Sequence, residues 1–209
     1  MDRTTRILRL DCSPRGGESA SRLLADEILA RLTAIHPDAA IVRRDLAANP
    51  PPLVDYGYTK VMAAHPTAAS AIGVAPLAVS EELIGELEST DFLLLATPVN
   101  NFTVPAVLKL WLDQVARVGR AFESTPDGKI GKIADRPAII VVSSGSVFLG
   151  EDARQPDFLT PYLTAILNCL GIFDISFIAV QAVGRTPERA WADARAAIAA
   201  HPCLSGGTP

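Results

Sequence analysis

The sixteen residues RILRLDCSPRGGESAS, Arg6 to Ser21, decide the fold. Arg6 to Cys12 reads as a short strand, and Ser13-Pro14-Arg15-Gly16-Gly17 is a turn cluster. A helix pattern follows, with Leu23, Leu24, Ile28, Leu32 and Ile35 on one stripe. Four-residue spacing sets Arg22 against Asp26 and Glu27 against Arg31 on its surface. His36-Pro37 ends it. A helix that starts straight after a strand end presents unpaired N–H groups and the positive end of its dipole, which favours a phosphate. Ser13, Ser19 and Ser21 add hydroxyl donors, and Arg15 a cation. Ser19 is equally placed to act as a plain N-cap.

The same alternation continues outward. Ala40 to Leu46 is a second, weaker strand. Residues 49–76, from Pro50-Pro51-Pro52 onward, form an irregular, partly helical excursion whose Leu53, Tyr56, Tyr58 and Met62 either line a pocket or pack on the surface. Val79 to Glu88 is helical. Asp91 to Ala96 is a strand, and Pro105 opens a helix carrying Val107, Leu108, Trp111, Leu112, Val115 and Val118 until Gly119 stops it. Ala138 to Val142 is a continuous apolar strand of the kind buried on both faces. Phe158 to Leu170 is a helix closed by Gly171, Ile175 to Val180 a fifth strand, and Thr186-Pro187 caps a last helix through Ala200. Residues 204–209 read as a frayed tail. Strands alternating with helices imply one α/β domain, residues 1–209, with a five-stranded parallel sheet, right-handed crossovers and helices on both faces. Such sheets bind ligands outside the carboxyl ends of their strands. The loops after the first, third and fourth strands are therefore the candidate site.

Bulk properties narrow the function. The chain has 209 residues, 49% hydrophobic and 20% charged, with a net charge of -4. That balance argues against nucleic acid as a main partner. Cys12, Cys169 and Cys203 lack the spacing of a disulfide framework or a zinc site. His36, His65 and His201 each precede a proline and read as helix-end or loop residues rather than metal ligands. No signal-peptide core is present, and no apolar run reaches the about 20 residues needed to cross a bilayer. A cytoplasmic protein without a metal or a membrane partner is expected.

The remaining two loops add chemistry. Pro98-Val99-Asn100-Asn101-Phe102 ends the third strand with two amide side chains, suited to the edge of a planar heterocycle, and an aromatic ring for stacking. An Asx-capped turn would use the same residues. Ser143-Ser144-Gly145-Ser146 is small and exposes its backbone to close approach by a flat ring. Two sharper motifs fail. There is no G-x-G-x-x-G, and a phosphatase-like C-x5-R beginning at Cys12 meets Glu18 instead of arginine. Cys12 is then a small buried apolar residue.

The stretches Ile7 to Ser21, Pro98 to Asp113 (PVNNFTVPAVLKLWLD) with Val118 to Phe122, Ser143 to Ser146, and Phe158 to Leu163 with Leu170 to Ile172 resemble the FMN-dependent NADH-azoreductase and quinone oxidoreductase family. The resemblance implies a flavodoxin-like, doubly wound sheet of order 2-1-3-4-5, in which the three loops share one rim. It implies FMN as bound cofactor, NADH or NADPH as donor, a quinone or aromatic azo compound as acceptor, two-electron ping-pong transfer, and a homodimer. The phosphate maps to Ser13, Ser19, Ala20 and Ser21, the flavin ring to Pro98, Val99, Asn100, Asn101 and Phe102, and its far edge to Ser143, Ser144, Gly145 and Ser146. Asn100, Phe122 and Phe148 are expected in the substrate pocket. No side chain is assigned as catalytic, because the flavin carries the chemistry. The chain departs from the family where tyrosine is usual at Asn100, in S-R-G-G at Ser144 and Ser146, and where some members have histidine at Phe148. Rival readings are an electron carrier or FMN-binding module without turnover, and a phosphate-ester hydrolase.

Overall fold

The computed structural model describes residues 3–63, 75–184 and 187–205. The order of elements is β1 (Arg6–Asp11), α1 (Ala20–Ile35), β2 (Ala40–Asp45), α2 (Tyr56–Ala63), α3 (Ala78–Glu88), β3 (Phe92–Pro98), α4 (Ala106–Val115), β4 (Phe122–Thr125), β5 (Gly128–Gly131), β6 (Ala138–Ser143), α5 (Thr160–Leu170), β7 (Ile175–Val180) and α6 (Pro187–Ala200). Five strands form a parallel sheet of order β2-β1-β3-β6-β7, the expected 2-1-3-4-5 when sheet strands alone are counted. Register aligns Asp11 with Asp45 and Ala96, and Pro98 with Ser143, so the carboxyl ends lie along one edge.

Side-chain alternation sorts the sheet into two apolar clusters. Leu8, Leu10, Leu93, Leu95, Ile140 and Val142 pack with Leu83 and Leu87 of α3, Leu108 and Trp111 of α4, and Leu163 and Leu167 of α5. Ile7, Leu94, Ile139 and Val141 pack with Leu24, Ile28 and Leu32 of α1 and Ala194 and Ile198 of α6. Apolar residues run without interruption from Phe92 to Ala96 in β3 and from Ala138 to Val142 in β6 because both sides of those strands are covered.

Several local expectations are corrected by tertiary packing. Arg22 pairs with Asp45 rather than Asp26, Asp26 pairs with Arg9, and Glu27 pairs with Arg195 of α6. Buried or cross-element partners outcompete weak surface pairs along one helix. Leu23 and Ile35 lie at the exposed margins of the α1 stripe. The helix begun at Pro105 stops at Val115; Val118 is exposed and bridges to Phe122, since Gly119 turns the chain into an unanticipated hairpin, β4–β5. That hairpin was hidden by its short polar strands, although Asp127-Gly128 is a turn signal. The helix expected from Phe158 starts at Thr160, because the Asp157 carboxylate accepts the N–H groups of Leu159 and Thr160. In the 49–76 excursion, Tyr56–Ala63 is helical, Tyr58 is buried and Leu53 and Tyr56 are exposed. Leu204, placed in the frayed tail by sequence, is buried against the α1 cluster. His65 with the rest of 64–74 in the excursion, Thr186, and 206–209 in the tail lie outside the described residues.

The β5–α5 contact allows almost no tolerance. Gly171 closes α5 in the left-handed conformation, φ 106°, and Ile172 N–H returns to the Leu167 carbonyl at 3.0 Å. A Cβ on Gly131 would sit 2.2 Å from the Gly171 nitrogen, against backbone that cannot rotate away. Gly131→Ala is expected to destabilise the fold by about 1–3 kcal/mol, the usual range for overpacking, without a change in unfolding slope. Urea denaturation of the two proteins checks it.

Stability should also fail on the acid side. Hydrogen bonds from Arg22, Arg195 and Arg120 hold the carboxyls of Asp45, Glu27 and Glu88 below their ordinary range. The Phe173 and Asp174 N–H groups do the same for Asp135. A depressed folded-state pKa contributes stability above the unfolded value, about 4, and loses it as pH falls through the folded value. Melting temperatures are expected to be level from neutral pH down to about 5 and to drop below about 4. A drop centred near neutrality would contradict this.

Candidate functional site

Three loops meet at the carboxyl edge of the sheet around a cleft of about 510 Å³. The loop after β1 supplies Ser13, Arg15, Ser19 and Ala20; the end of β3 supplies Pro98 and Val99; the loop after β6 supplies Ser143, Ser144 and Gly145. Val183 and Gly184, after β7, form a fourth wall that the sequence reading passed over. A signal existed, since Gly184 follows a strand end just as the other loops do.

The first wall is built from the start of α1. Ser19 has extended backbone, φ -77° and ψ 120°, and its carbonyl accepts the Leu23 N–H at 2.9 Å, so it is the N-cap residue by position. Its hydroxyl makes no capping bond and instead lies 3.1 Å from the Ser21 hydroxyl. The first-turn N–H groups of α1 are therefore left without a side-chain acceptor at the cleft. Ser13 and Ser19 are almost wholly buried yet line the cleft, while Ser21 is fully buried behind Ser19. Arg15 stands at the exposed rim and is loosely paired with Glu18 at 3.8 Å. Cys12, beneath the loop, is fully buried, and burial pushes its thiol well above the ordinary range, so it offers no thiolate nucleophile.

The second wall carries backbone strain. Asn100 and Thr103 exchange both backbone hydrogen bonds, at 2.9 and 3.0 Å, and the two residues between them are left-handed: Asn101 at φ 47° and Phe102 at φ 72°. Asparagine tolerates that conformation; phenylalanine rarely adopts it. The tight turn swings Asn100 and Asn101 out of the first cleft and into an adjoining cavity of about 550 Å³, which also reaches Lys109 and Tyr162. Phe102 is half exposed, and its carbonyl accepts the Phe158 N–H at 3.1 Å.

The third wall is clamped from two directions. Ser144 N–H donates to the Val180 carbonyl at 3.0 Å, and Val183 N–H to the Ser144 carbonyl at 3.2 Å. The Ser144 hydroxyl accepts from Ser146 N–H and Gln155 Nε2, and Gln181 Oε1 accepts the N–H groups of Phe148 and Leu149 at 2.9 and 2.8 Å. Ser146 is half buried and does not line the cleft.

The three residues expected in one substrate pocket are not brought together within the chain. Asn100 lines the second cavity. Phe122 lines a third, of about 380 Å³, with Val54, Tyr58 and Arg117. Phe148 is a core residue. Phe122 is diverted because it starts the β4–β5 hairpin, and Phe148 because Gln181 turns its segment inward. Among the described residues no cluster has the makings of a metal site.

The Ser19–Ser21 contact has a measurable consequence. Each of Ser19→Ala and Ser21→Ala removes the same hydrogen bond, so the double change is expected to cost less than the sum of the two by about 0.5–1.5 kcal/mol. A double-mutant cycle by urea unfolding reads this; strict additivity would mean that Ser19 acts as an ordinary cap.

Comparison with known proteins places this edge in context. A family model described as flavodoxin-like fold matches residues 5–201. The chain is similar to FMN-dependent NADH:quinone oxidoreductase 4 of Pseudomonas fluorescens, with 48% identity over 203 residues, covering 95% of this chain and 96% of that protein. It is 43% identical over 188 residues to FMN-dependent NADH:quinone oxidoreductase 5 of Burkholderia lata, covering 90% and 89%. In fold it matches an azoreductase from Bacillus anthracis str. Sterne, with a TM-score of 0.79 at 23% identity over 92% of this chain and 94% of that one. It also matches an FMN-dependent NADH-azoreductase from Bacillus anthracis str. Ames Ancestor in complex with FMN, with a TM-score of 0.80 at 19% identity over 91% and 94%.

Proposed function

This chain belongs to the flavodoxin-like family of FMN-dependent NADH:quinone oxidoreductases, and from that premise we propose that it binds FMN in the cleft at the carboxyl edge of the sheet and reduces quinone-type or aromatic azo-type acceptors with NADH or NADPH. The observation that carries this reading is the uncapped start of α1, opening into a cleft that Ser13 and Ser19 also line. Those donors fit a terminal phosphate. The cleft volume is in the range of small-molecule sites. Ser13, Arg15, Ser19 and Ala20 would hold the phosphate, with Ser21 steadying the Ser19 hydroxyl. Pro98 and Val99 would lie along the flavin ring, with the Asn100–Phe102 turn beyond them toward the second cavity, and Ser143, Ser144 and Gly145 at its far edge, with the Ser146 N–H bracing the Ser144 hydroxyl.

FMN held there would supply two-electron redox chemistry between a nicotinamide donor and the acceptor. The protein's part is to grip the phosphate, keep the ring against a rigid wall, and leave its open face to donor and acceptor in turn. The strained Asn101–Phe102 turn suits the second task, because a conformation costing about 1–3 kcal/mol persists only where its surroundings over-determine it. Asn100, lining the second cavity beside Lys109 and Tyr162, stands where it can influence acceptor choice. The two core clusters support a doubly wound sheet within a single FMN-binding domain. Family likeness supports a cytoplasmic homodimer, with Phe102, Val118 and Phe158 as exposed apolar surface for a second copy. No helix among the described residues is long and apolar enough to cross a membrane.

The purified protein should show a flavin absorption spectrum, should oxidise NADH with a quinone and no partner protein, and should bind FMN more tightly than FAD or riboflavin. With one to three charged hydrogen bonds at about 1.5–3 kcal/mol each, riboflavin should bind at least about tenfold more weakly. Fluorescence titration with the three flavins decides it. Equal affinity for FMN and riboflavin would show that the α1 start does not hold a phosphate.

A further inference from the structure

The loop between β1 and α1 has few bonds of its own. Arg15 N–H reaches the Ser13 hydroxyl at 3.3 Å, Glu18 N–H the Arg15 carbonyl at 3.1 Å, and Ser19 N–H the Gly16 carbonyl at 3.2 Å. A side chain from outside the loop reaches it from below. Arg22, in the first turn of α1, donates from Nη2 to the Ser13 carbonyl at 2.5 Å. The same guanidinium grips Asp45 through two bonds of 2.6 and 2.7 Å. Asp45 is the last residue of β2, and its Oδ1 also accepts the N–H groups of Ala47 and Ala48 at 3.1 and 3.0 Å. The carboxylate is thus tied to the end of one strand, and the guanidinium carries that anchorage across to the loop at the end of the next.

We propose that Arg22 is a positioning residue for the anion-binding loop: the chain Asp45 carboxylate, Arg22 guanidinium, Ser13 carbonyl sets the conformation in which Ser13 and the start of α1 face the cleft, and so sets the affinity for the phosphate of the flavin. This rests on the FMN reading above. The role is geometric. The charges of Arg22 and Asp45 cancel within the pair, leaving the loop N–H groups and hydroxyls to bind the anion directly. Arginine can serve both partners because its planar fork offers several donors in fixed directions; lysine keeps the charge but is a compact point donor. The two ways of acting also differ in sign at Asp45. A carboxylate felt by the phosphate only through its field would, once neutralised, let FMN bind more tightly. A carboxylate that anchors the clamp would, once neutralised, let FMN bind less tightly.

The experiment titrates full-length, flavin-stripped wild type, Arg22→Lys and Asp45→Asn with FMN and with riboflavin, and records the melting temperature of each flavin-free protein. Both variants should weaken FMN by about tenfold or more, the worth of a mispositioned charged hydrogen bond, while riboflavin affinity stays at the wild-type value. Arg22→Lys binding FMN as tightly as wild type overturns the proposal, as does tighter FMN binding by Asp45→Asn. Equal losses for FMN and riboflavin also overturn it, since a merely structural role would weaken both flavins alike. Wild type that prefers FMN while both variants match it removes the clamp alone. Wild type that does not distinguish FMN from riboflavin removes the phosphate reading and the clamp together.

Discussion

A charge taken out of water has to be matched, and in this protein that constraint sits on the strand from which the sheet is built. β1 is paired on both sides, and Arg9 and Asp11, on its α1-facing side, are almost wholly buried. Arg9 bonds to Asp11 at 3.1 Å, to Asp26 of α1, and to the Arg22 carbonyl at 3.3 Å. Sliding or rotating α1 on the sheet would strip the buried Arg9 of its two partners on that helix, the Asp26 carboxylate and the Arg22 carbonyl, and the half-exposed Asp26 makes that penalty smaller than for a fully buried pair. The apolar contacts of Leu24, Ile28 and Leu32 would tolerate neighbouring registers; the charges do not.

Everything at the cleft depends on that placement. With α1 fixed, its uncapped first turn lies at the carboxyl end of β1, and parallel register brings the ends of β3 and β6 alongside. The other walls are then shaped by short-range devices of a different kind: a paired but strained turn at Asn101–Phe102, and the Gln181 carboxamide drawing in Phe148 and Leu149. None of these devices is apolar packing. The core positions the edge of the sheet, and polar groups finish the site.

Much of this was legible in the residues. Parallel strands could be inferred from the uninterrupted apolar runs of Phe92-Leu93-Leu94-Leu95 and Ala138 to Val142, because only a sheet covered on both sides accepts them. The rim loops could be inferred because turn residues follow the strands at Ser13, Pro98 and Ser143, and parallel sheets bind ligands outside the carboxyl ends of their strands. Pairings between elements could not. Arg22 had Asp26 at helical spacing and turned instead to Asp45, since spacing reports only neighbours on the same helix. Phe122 and Phe148 were assigned to one pocket by family resemblance, and the hairpin and Gln181 send them to different places.

The sequence by itself determined the five strands of the sheet and the helices that cover it, which strand ends carry small and polar loop residues, and the family to which the chain belongs. These follow from periodicity, turn residues and local motifs, all of which act over a few residues. Only the tertiary structure decided which charges meet beneath α1, that the Ser19 hydroxyl turns to Ser21 instead of capping its helix, that Asn100 faces a second cavity, and that Val183 and Gly184 complete the cleft. Those outcomes are set by competition among partners far apart in the chain, where burial strengthens whichever polar contact it encloses, and no local pattern records which one that will be.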